Sequence, residues 1–177
     1  TGRGPLEACG AGLKMEDGDL ALRCNFATLG GGGVILDRRV GRDLTTHEAR
    51  ELSEAVNAEV KLESHPAEFE YKNTIGHRGA LVIRHKEIRL SGEISNTDPA
   101  YSRMGEISIA KLDAKMILQK CEPLNGGEAA EISADLVNEF TEKSHLMLDQ
   151  HPLNMKRIKE GKLKANGILI RDAGASL

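Results

Sequence analysis

The chain has 177 residues, 40% apolar and 29% charged, with a formal net charge of -3, which fits one globular domain with room for a core. An acidic balance, aromatics at only 3% and no tryptophan argue against nucleic acid as a partner, because phosphate-backbone binding shows as a basic excess and base stacking needs aromatic platforms. No apolar run approaches the roughly 18 residues of a membrane helix and no signal peptide opens the chain, so a cytoplasmic protein without a membrane partner is expected.

Pro5 followed by Leu6, Glu7, Ala8 and Cys9 predicts a short helix with proline in its first turn, stopped by Gly10 and Gly12. From 19 to 28 the residues alternate. Leu20, Leu22, Cys24 and Phe26 fall on one face and Arg23 and Asn25 on the other, the pattern of a half-buried strand. The glycines at 30–33 break it and Val34-Ile35-Leu36 begin a second strand, so a hairpin is expected. Thr45 with Glu48 three residues on is a capping-box pattern. Ala49, Leu52 and Val56 continue it at helical spacing and predict a helix over 46–58.

Phe69, Tyr71, Asn73 and Ile75 alternate with polar neighbours as a further strand. The turn 76–79 then leads into Ala80-Leu81-Val82-Ile83, apolar on both faces and expected inside a sheet. Residues 91–125 have the least periodicity and read as a long, turn-rich connection. Ile132, Leu136, Phe140 and Met147 lie along one face of the longest helix, which Pro152 is expected to end. Ile168-Leu169-Ile170 make a last strand. With no regular βαβ beat, the fold class is α+β with a mixed or mostly antiparallel sheet and packed helices.

Arginine placement is the strongest chemical feature. If 30–33 form the hairpin loop and Leu29 faces Val34, Asn25 meets Arg38 and Arg23 lies diagonally near. Arg39 and Arg42 follow, and Arg78 sits in a glycine-flanked turn. Planar guanidinium forks suit carboxylate and phosphate oxygens, so one reading is a pocket for a small anionic metabolite. The other is that these arginines are solvated or pair with Asp37 and Asp43. Asp98, before Pro99, either hydrogen-bonds a substrate hydroxyl or opens a turn. The four glycines lack the Lys-Ser/Thr of a P-loop. Cys9, Cys24 and Cys121 show no CxxC spacing and read as free thiols. His145 and His151, six apart, have no metal-ligand spacing. No catalytic residues and no metal ligands are assigned.

Several segments, taken in order, resemble archaeal-type 2,3-bisphosphoglycerate-independent phosphoglycerate mutases. They are Thr1-Gly2-Arg3-Gly4-Pro5-Leu6-Glu7-Ala8, Arg23-Cys24-Asn25-Phe26-Ala27-Thr28, Asp37-Arg38-Arg39-Val40-Gly41-Arg42 and His77-Arg78-Gly79. Asn96-Thr97-Asp98-Pro99, the helix from Asn138-Glu139-Phe140 to His151-Pro152, and Ala165-Asn166 with Leu169-Ile170-Arg171 continue the series. The sequence departs in its four-glycine tip, where a more acidic turn is usual, and at Asp172, inside what is usually an Arg-Gly-Ala-Gly ending.

The resemblance implies a phosphatase-like core of the alkaline phosphatase superfamily that interconverts 3-phosphoglycerate and 2-phosphoglycerate through a phosphoserine. Two divalent metal ions (Mn, Zn, Mg or Co) would belong to that parent enzyme. Neither the serine nor the metal ligands map onto this chain, whose start without Met and end just after an apolar strand are those expected of a segment. Residues 1–177 would then be one inserted substrate-binding cap domain, with 1–12 and 171–177 as hinges towards the catalytic domain of the same chain. The resemblance assigns phosphoglycerate contacts to Arg23, Arg38, Arg39, Arg42 and Arg78, with Asn25 and Asp98 added. Rival expectations are the cap of another phosphohydrolase of that superfamily and a stand-alone module for an anionic metabolite.

Overall fold

The computed structural model describes residues 2–104, 107–110 and 116–176. Thr1 and Leu177, the outer residues of the two expected hinges, lie outside the described residues, as do 105–106 and 111–115 in the aperiodic stretch. The spine is β1 (Leu20–Leu29), which is paired on both edges. It runs antiparallel to β4 (Arg78–His85) on one side and to β7 (Gly167–Gly174) on the other. β4 also pairs with β3 (Ala67–Asn73), and β2 (Ile35–Asp37) joins the far end of β1. All of these pairings are antiparallel, so the fold is α+β with an antiparallel sheet.

β1 is buried along its length except at Arg23, which is only partly covered. Leu20, Leu22, Cys24 and Phe26 enter the main core with Leu81, Ile83, Ile168 and Ile170. Against them pack Leu52 and Val56 of α2 (Thr46–Glu59) and Leu136, Phe140 and Leu148 of α3 (Glu128–Asp149). Phe140 stands edge-on to Phe69 with ring centroids 5.0 Å apart, and full burial of such a ring contributes about 1.5–3 kcal/mol. Gly79 lacks a Cβ for a steric reason, since one there would come within 2.4 Å of the Tyr71 hydroxyl. The opposite face of β1 meets α1 (Gly4–Gly10), where Ala8 and Leu13 pack on Ala21, Ala80 and Val82.

Four asparagines extend the backbone pairing where strands run out. Asn57 takes the N–H and carbonyl of Tyr71, each at 2.8 Å, on the outer edge of β3. Asn166 does the same for Leu29, Asn138 for Cys121 and Asn154 for Ala165. A carboxamide carries one donor and one acceptor side as a peptide unit does, so it can satisfy both groups of a residue that has no strand neighbour. On β3 it also blunts an edge open to further pairing.

Several expectations need correction. The second strand is Ile35–Asp37, because the glycine loop coils as a 3-10 turn with Gly32 and Gly33 at positive φ and uses up Val34. β3 stops at Asn73, leaving Ile75 exposed in the turn. Pro152 does not end the long helix: α3 stops at Asp149, and Pro152 opens α4 (Pro152–Lys159). Its missing N–H is no loss in a first turn, and the His151 Nδ1 caps the helix by accepting the Leu153 N–H at 3.0 Å. Within 91–125, Tyr101–Met104 (β5) and Ile107–Ala110 (β6) form a separate antiparallel pair. The capping box holds as read, with Thr45 and Glu48 exchanging bonds of 3.0 Å.

Arg157 ties α2 and α4 together although its side chain is only 1% exposed. Its guanidinium donates to the Leu163 carbonyl at 2.6 Å and to both Glu48 oxygens at 3.0 Å, and pairs with Asp43. Burial opposes ionisation of Glu48, but the Thr45 N–H and Arg157 hold its carboxyl below the usual range. Removing one partner of a buried pair costs about 3–5 kcal/mol. Asp43 is itself half exposed, so urea denaturation of Arg157→Met is expected to show a loss near the lower end, about 3 kcal/mol. Arg89→Ala, which breaks the exposed pair with Asp17, should leave the midpoint in place.

Glu139 makes a second such tie, from α3 to the loop before β3. Burial raises its carboxyl pKa, but Lys143, the N–H groups of Glu63 and Ser64 and the Ser64 hydroxyl outweigh this and hold it down at about 2. A depressed carboxyl stabilises the fold above its unfolded value and loses that contribution as pH falls through the folded one. Thermal melts should therefore show stability lost between about pH 4.5 and 2, and Glu139→Gln should flatten that part of the profile. An unchanged profile in the variant would mean that other carboxylates carry the acid sensitivity.

Candidate functional site

The second face of the sheet is covered at two ends and open between them. α1 covers Ala21, Ala80 and Val82. At the other end Ile35, with Met116 and Leu118, covers Ala27, Leu29 and Leu169. Alternation along β1 places Arg23 and Asn25 in the gap, and pairing sets Arg171 of β7 opposite Arg23 and Arg78 of β4 opposite Asn25. The gap is a cavity of about 110 Å³ whose wall includes Arg23, Arg38, Arg39, Arg78 and Arg171, together with Asn25, His77, Tyr101 and Glu7.

Arg23 is half-buried, 3.1 Å from Asp172 and 3.4 Å from Glu7. Arg38 pairs with Asp98, whose side chain is fully buried and lies 3.7 Å from Arg171. The Tyr101 ring lies near the same two arginines, with guanidinium carbons 4.4 Å (Arg171) and 5.4 Å (Arg38) from its centroid. Both distances are within cation–π range. Among the described residues, no carboxylate comes within ion-pair distance of Arg39 or Arg78. Five guanidiniums against Glu7, Asp98 and Asp172 leave two positive charges in excess.

Arg42 does not join this group. It is exposed in a turn at φ 61°, away from the cavity wall. Asn25 does not face Arg38 across a strand pair as expected. A bulge shifts the hairpin so that Thr28 faces Asp37 and Leu29 faces Ile35. The Asn25 amide reaches the Arg38 carbonyl all the same, at 2.8 Å, and so fixes the backbone that presents Arg38 and Arg39. The slip turns neither arginine away, because both lie beyond the strand's end. Asp98 opens a turn by accepting the Ala100 N–H at 3.0 Å and also holds Arg38, behind the cavity wall rather than in it. Asp37 accepts the Arg39 N–H and Asp43 pairs with Arg157, so neither neutralises the arginines beside it.

Sequence reading did not assign Arg171, His77 and Tyr101 to the site. Arg171 shares strand parity with Leu169, opposite to Ile168 and Ile170, which was a usable signal once β7 is known to pair with β1. His77 is held below the ordinary histidine range, first by burial and then by Arg78, Arg39, Arg38 and Arg171. Burial also lowers Arg171, with Arg23 adding to it. Cys24 is buried and its thiol is pushed far above the usual range, so it is not a nucleophile at neutral pH.

The family described as 2,3-bisphosphoglycerate-independent phosphoglycerate mutase matches residues 1–154. A protein of that name from Aeropyrum pernix is 53% identical over 174 residues, 98% of this chain and 41% of the relative. The Methanopyrus kandleri protein of the same name is 41% identical over 98% of this chain and 38% of its own length. Among solved structures, a cofactor-independent phosphoglycerate mutase from Thermoplasma acidophilum superposes with a TM-score of 0.79 at 33% identity. That match covers 99% of this chain and 42% of the other. The chain thus spans about two fifths of the relatives it matches.

Asp98 supplies the buried negative charge between Arg38 and Arg171. Asp98→Asn keeps the shape and an acceptor for the Ala100 N–H but removes that charge. Hydrogen bonds to charged groups contribute about 1.5–3 kcal/mol, so a urea titration should show a loss in that range. A loss within experimental error would show that solvent, not Asp98, compensates the two arginines.

Proposed function

The chain belongs to the 2,3-bisphosphoglycerate-independent phosphoglycerate mutase family, and on that premise we propose that it is the substrate-binding part of such an enzyme. The reaction would be the interconversion of 3-phosphoglycerate and 2-phosphoglycerate. The observation that carries the proposal is the convergence of Arg23, Arg38, Arg39, Arg78 and Arg171 on one cavity. Guanidinium forks match the paired oxygens of a carboxylate or phosphate, and phosphoglycerate has both.

Ligand pockets commonly enclose roughly 300–1,000 Å³. A cavity of about 110 Å³ is therefore one wall of a site, to be completed by the rest of a longer protein. Arg23, Arg38 and Arg171 are already oriented by Asp172 and Asp98, so less freedom is lost when an anion arrives. Arg39 and Arg78 are left to meet it. Arg42 stands outside the proposal. The cap's work would be to hold the glycerate and exclude water, so that a phosphoserine returns its group to the substrate instead of to solvent.

That serine and two divalent metals would come from the alkaline-phosphatase-like part. Among the described residues of this chain, no cluster of three or more His, Cys, Asp or Glu side chains stands ready for a metal ion. The proposed hinges lie side by side, since a Cβ on Gly2 would strike the Ala173 carbonyl and one on Gly174 would strike Pro5. Two adjacent crossings let a cap swing as a unit. No described helix is long and apolar enough to cross a membrane, and a reaction on free phosphoglycerate fits the cytosol.

Joined to the catalytic part, Arg23→Ala or Arg78→Ala should lower kcat/KM about ten- to a hundredfold, the loss of one charge-assisted bond. Thermal melts should shift little for Arg78, which has no carboxylate partner among the described residues. Wild-type kinetics in both variants would falsify the assignment. The 177-residue chain alone, given 3-phosphoglycerate and manganese or zinc, should form no 2-phosphoglycerate, and turnover there would put the catalytic site inside these residues.

A further inference from the structure

His77 stands in the turn between β3 and β4, and its carbonyl accepts the Phe26 N–H at 2.7 Å. That bond pins the turn to the central strand. The imidazole lines the same cavity as Arg38, Arg39, Arg78 and Arg171, and among the described residues it has no hydrogen-bond partner. The ring is half-buried.

We propose that His77 is a ligand contact in its protonated form: when a phosphate-type dianion enters the arginine cavity, the imidazole takes up one proton from solvent and donates a hydrogen bond to an anion oxygen. No bond of the anion breaks, and the proton is released again when the anion leaves. The inference rests on the reading of the cavity as an anion site and adds to it a residue and a linked proton.

The physical case is a reversal of field. Burial and then the four arginines hold the imidazole pKa below its ordinary range. A dianion among those arginines brings the opposite charge to the same place, which favours the imidazolium. The titratable and charged groups that line the cavity with His77 are Arg23 from β1, Arg38 and Arg39 after β2, Arg78 from β4, Arg171 from β7, Glu7 from α1 and Tyr101 at the start of β5. Asp98 and Asp172 lie behind the arginines. Of these side-chain types, imidazole is the one that ordinarily titrates in the neutral range. Proton uptake on binding means that affinity rises as pH falls. The rise begins where the bound imidazole protonates and levels off once the empty one does too.

Sulfate is the probe, because it stays a dianion across this range and its own charge cannot mimic the effect. It would be titrated into the 177-residue chain between about pH 5.5 and 8, with binding and the His77 ring resonance followed by NMR. The wild-type chain should bind sulfate about tenfold more tightly at the acid end, and saturating sulfate should move the His77 titration midpoint upward. His77→Gln, a neutral donor of similar reach, should bind sulfate as the wild type does at the alkaline end and lose the pH dependence. An unmoved midpoint, or the same pH dependence in the variant, overturns the role of His77 while leaving the anion cavity standing. No sulfate binding in either protein at any pH overturns both.

Discussion

Arg23 occupies the middle of a strand that is paired on both edges, at the stretch of its second face that neither end cover reaches. Water cannot reach such a position freely, and a guanidinium there must be met by opposite charge or by an anion. The surroundings of β1 follow from that requirement. Glu7 comes in from α1 and Asp172 from the neighbouring strand. Across the pairing, Arg171 brings a second cation and with it a need for Asp98 and the Tyr101 ring. The carboxylates meet only part of the charge, and the remainder defines the cavity.

Polar side chains elsewhere in the fold solve the complementary problem of unpaired backbone. Asn57, Asn138, Asn154 and Asn166 each act as one detached peptide unit, closing a strand edge or anchoring a loop. Arg157 and Glu139 tie loops to helices with charge instead. The consequence for the site is rigidity of its frame. Asn25 holds the Arg38 carbonyl, Asn166 holds Leu29 beside the glycine loop, and the Phe26 N–H holds His77. Arginines presented from so tied a frame keep their spacing, which matters more for binding a small anion than their number does.

How much of this was legible in the sequence depended on whether the signal was local. The alternation of β1, the Thr45–Glu48 cap and the apolar face of α3 all lie within one element, and each was readable. The hairpin register was not, because Gly32 and Gly33 adopt positive φ and a bulge follows Thr28, which alternation cannot foresee. Pro152 carried a helix signal that reads equally as a stop or a start. Arg171 was invisible as a site residue because its place opposite Arg23 depends on a pairing between strands some 150 positions apart. The family resemblance supplied Arg38, Arg39 and Arg78 without geometry and included Arg42, which a turn at positive φ directs elsewhere.

Asp172 shows how one position can answer two constraints at once. The β1–β7 ladder changes register between Ala21 and Arg23, and the residue left over on β7 is Asp172, at φ 57°. Left-handed backbone costs most residues about 1–2 kcal/mol, which is why glycine is expected there in the resembling enzymes. Aspartate is among the few others that visit this region readily, because its short side chain can bond locally. Here its N–H donates to Asn96 at 3.2 Å, and the carboxylate is turned onto Arg23. A glycine would satisfy the bulge and leave Arg23 with Glu7 alone. The aspartate keeps the bulge, holds the guanidinium in the cavity wall, and lowers the excess charge that an incoming anion meets. It therefore exchanges some electrostatic attraction for a fixed Arg23, the same exchange that Asp98 makes for Arg38 and Arg171.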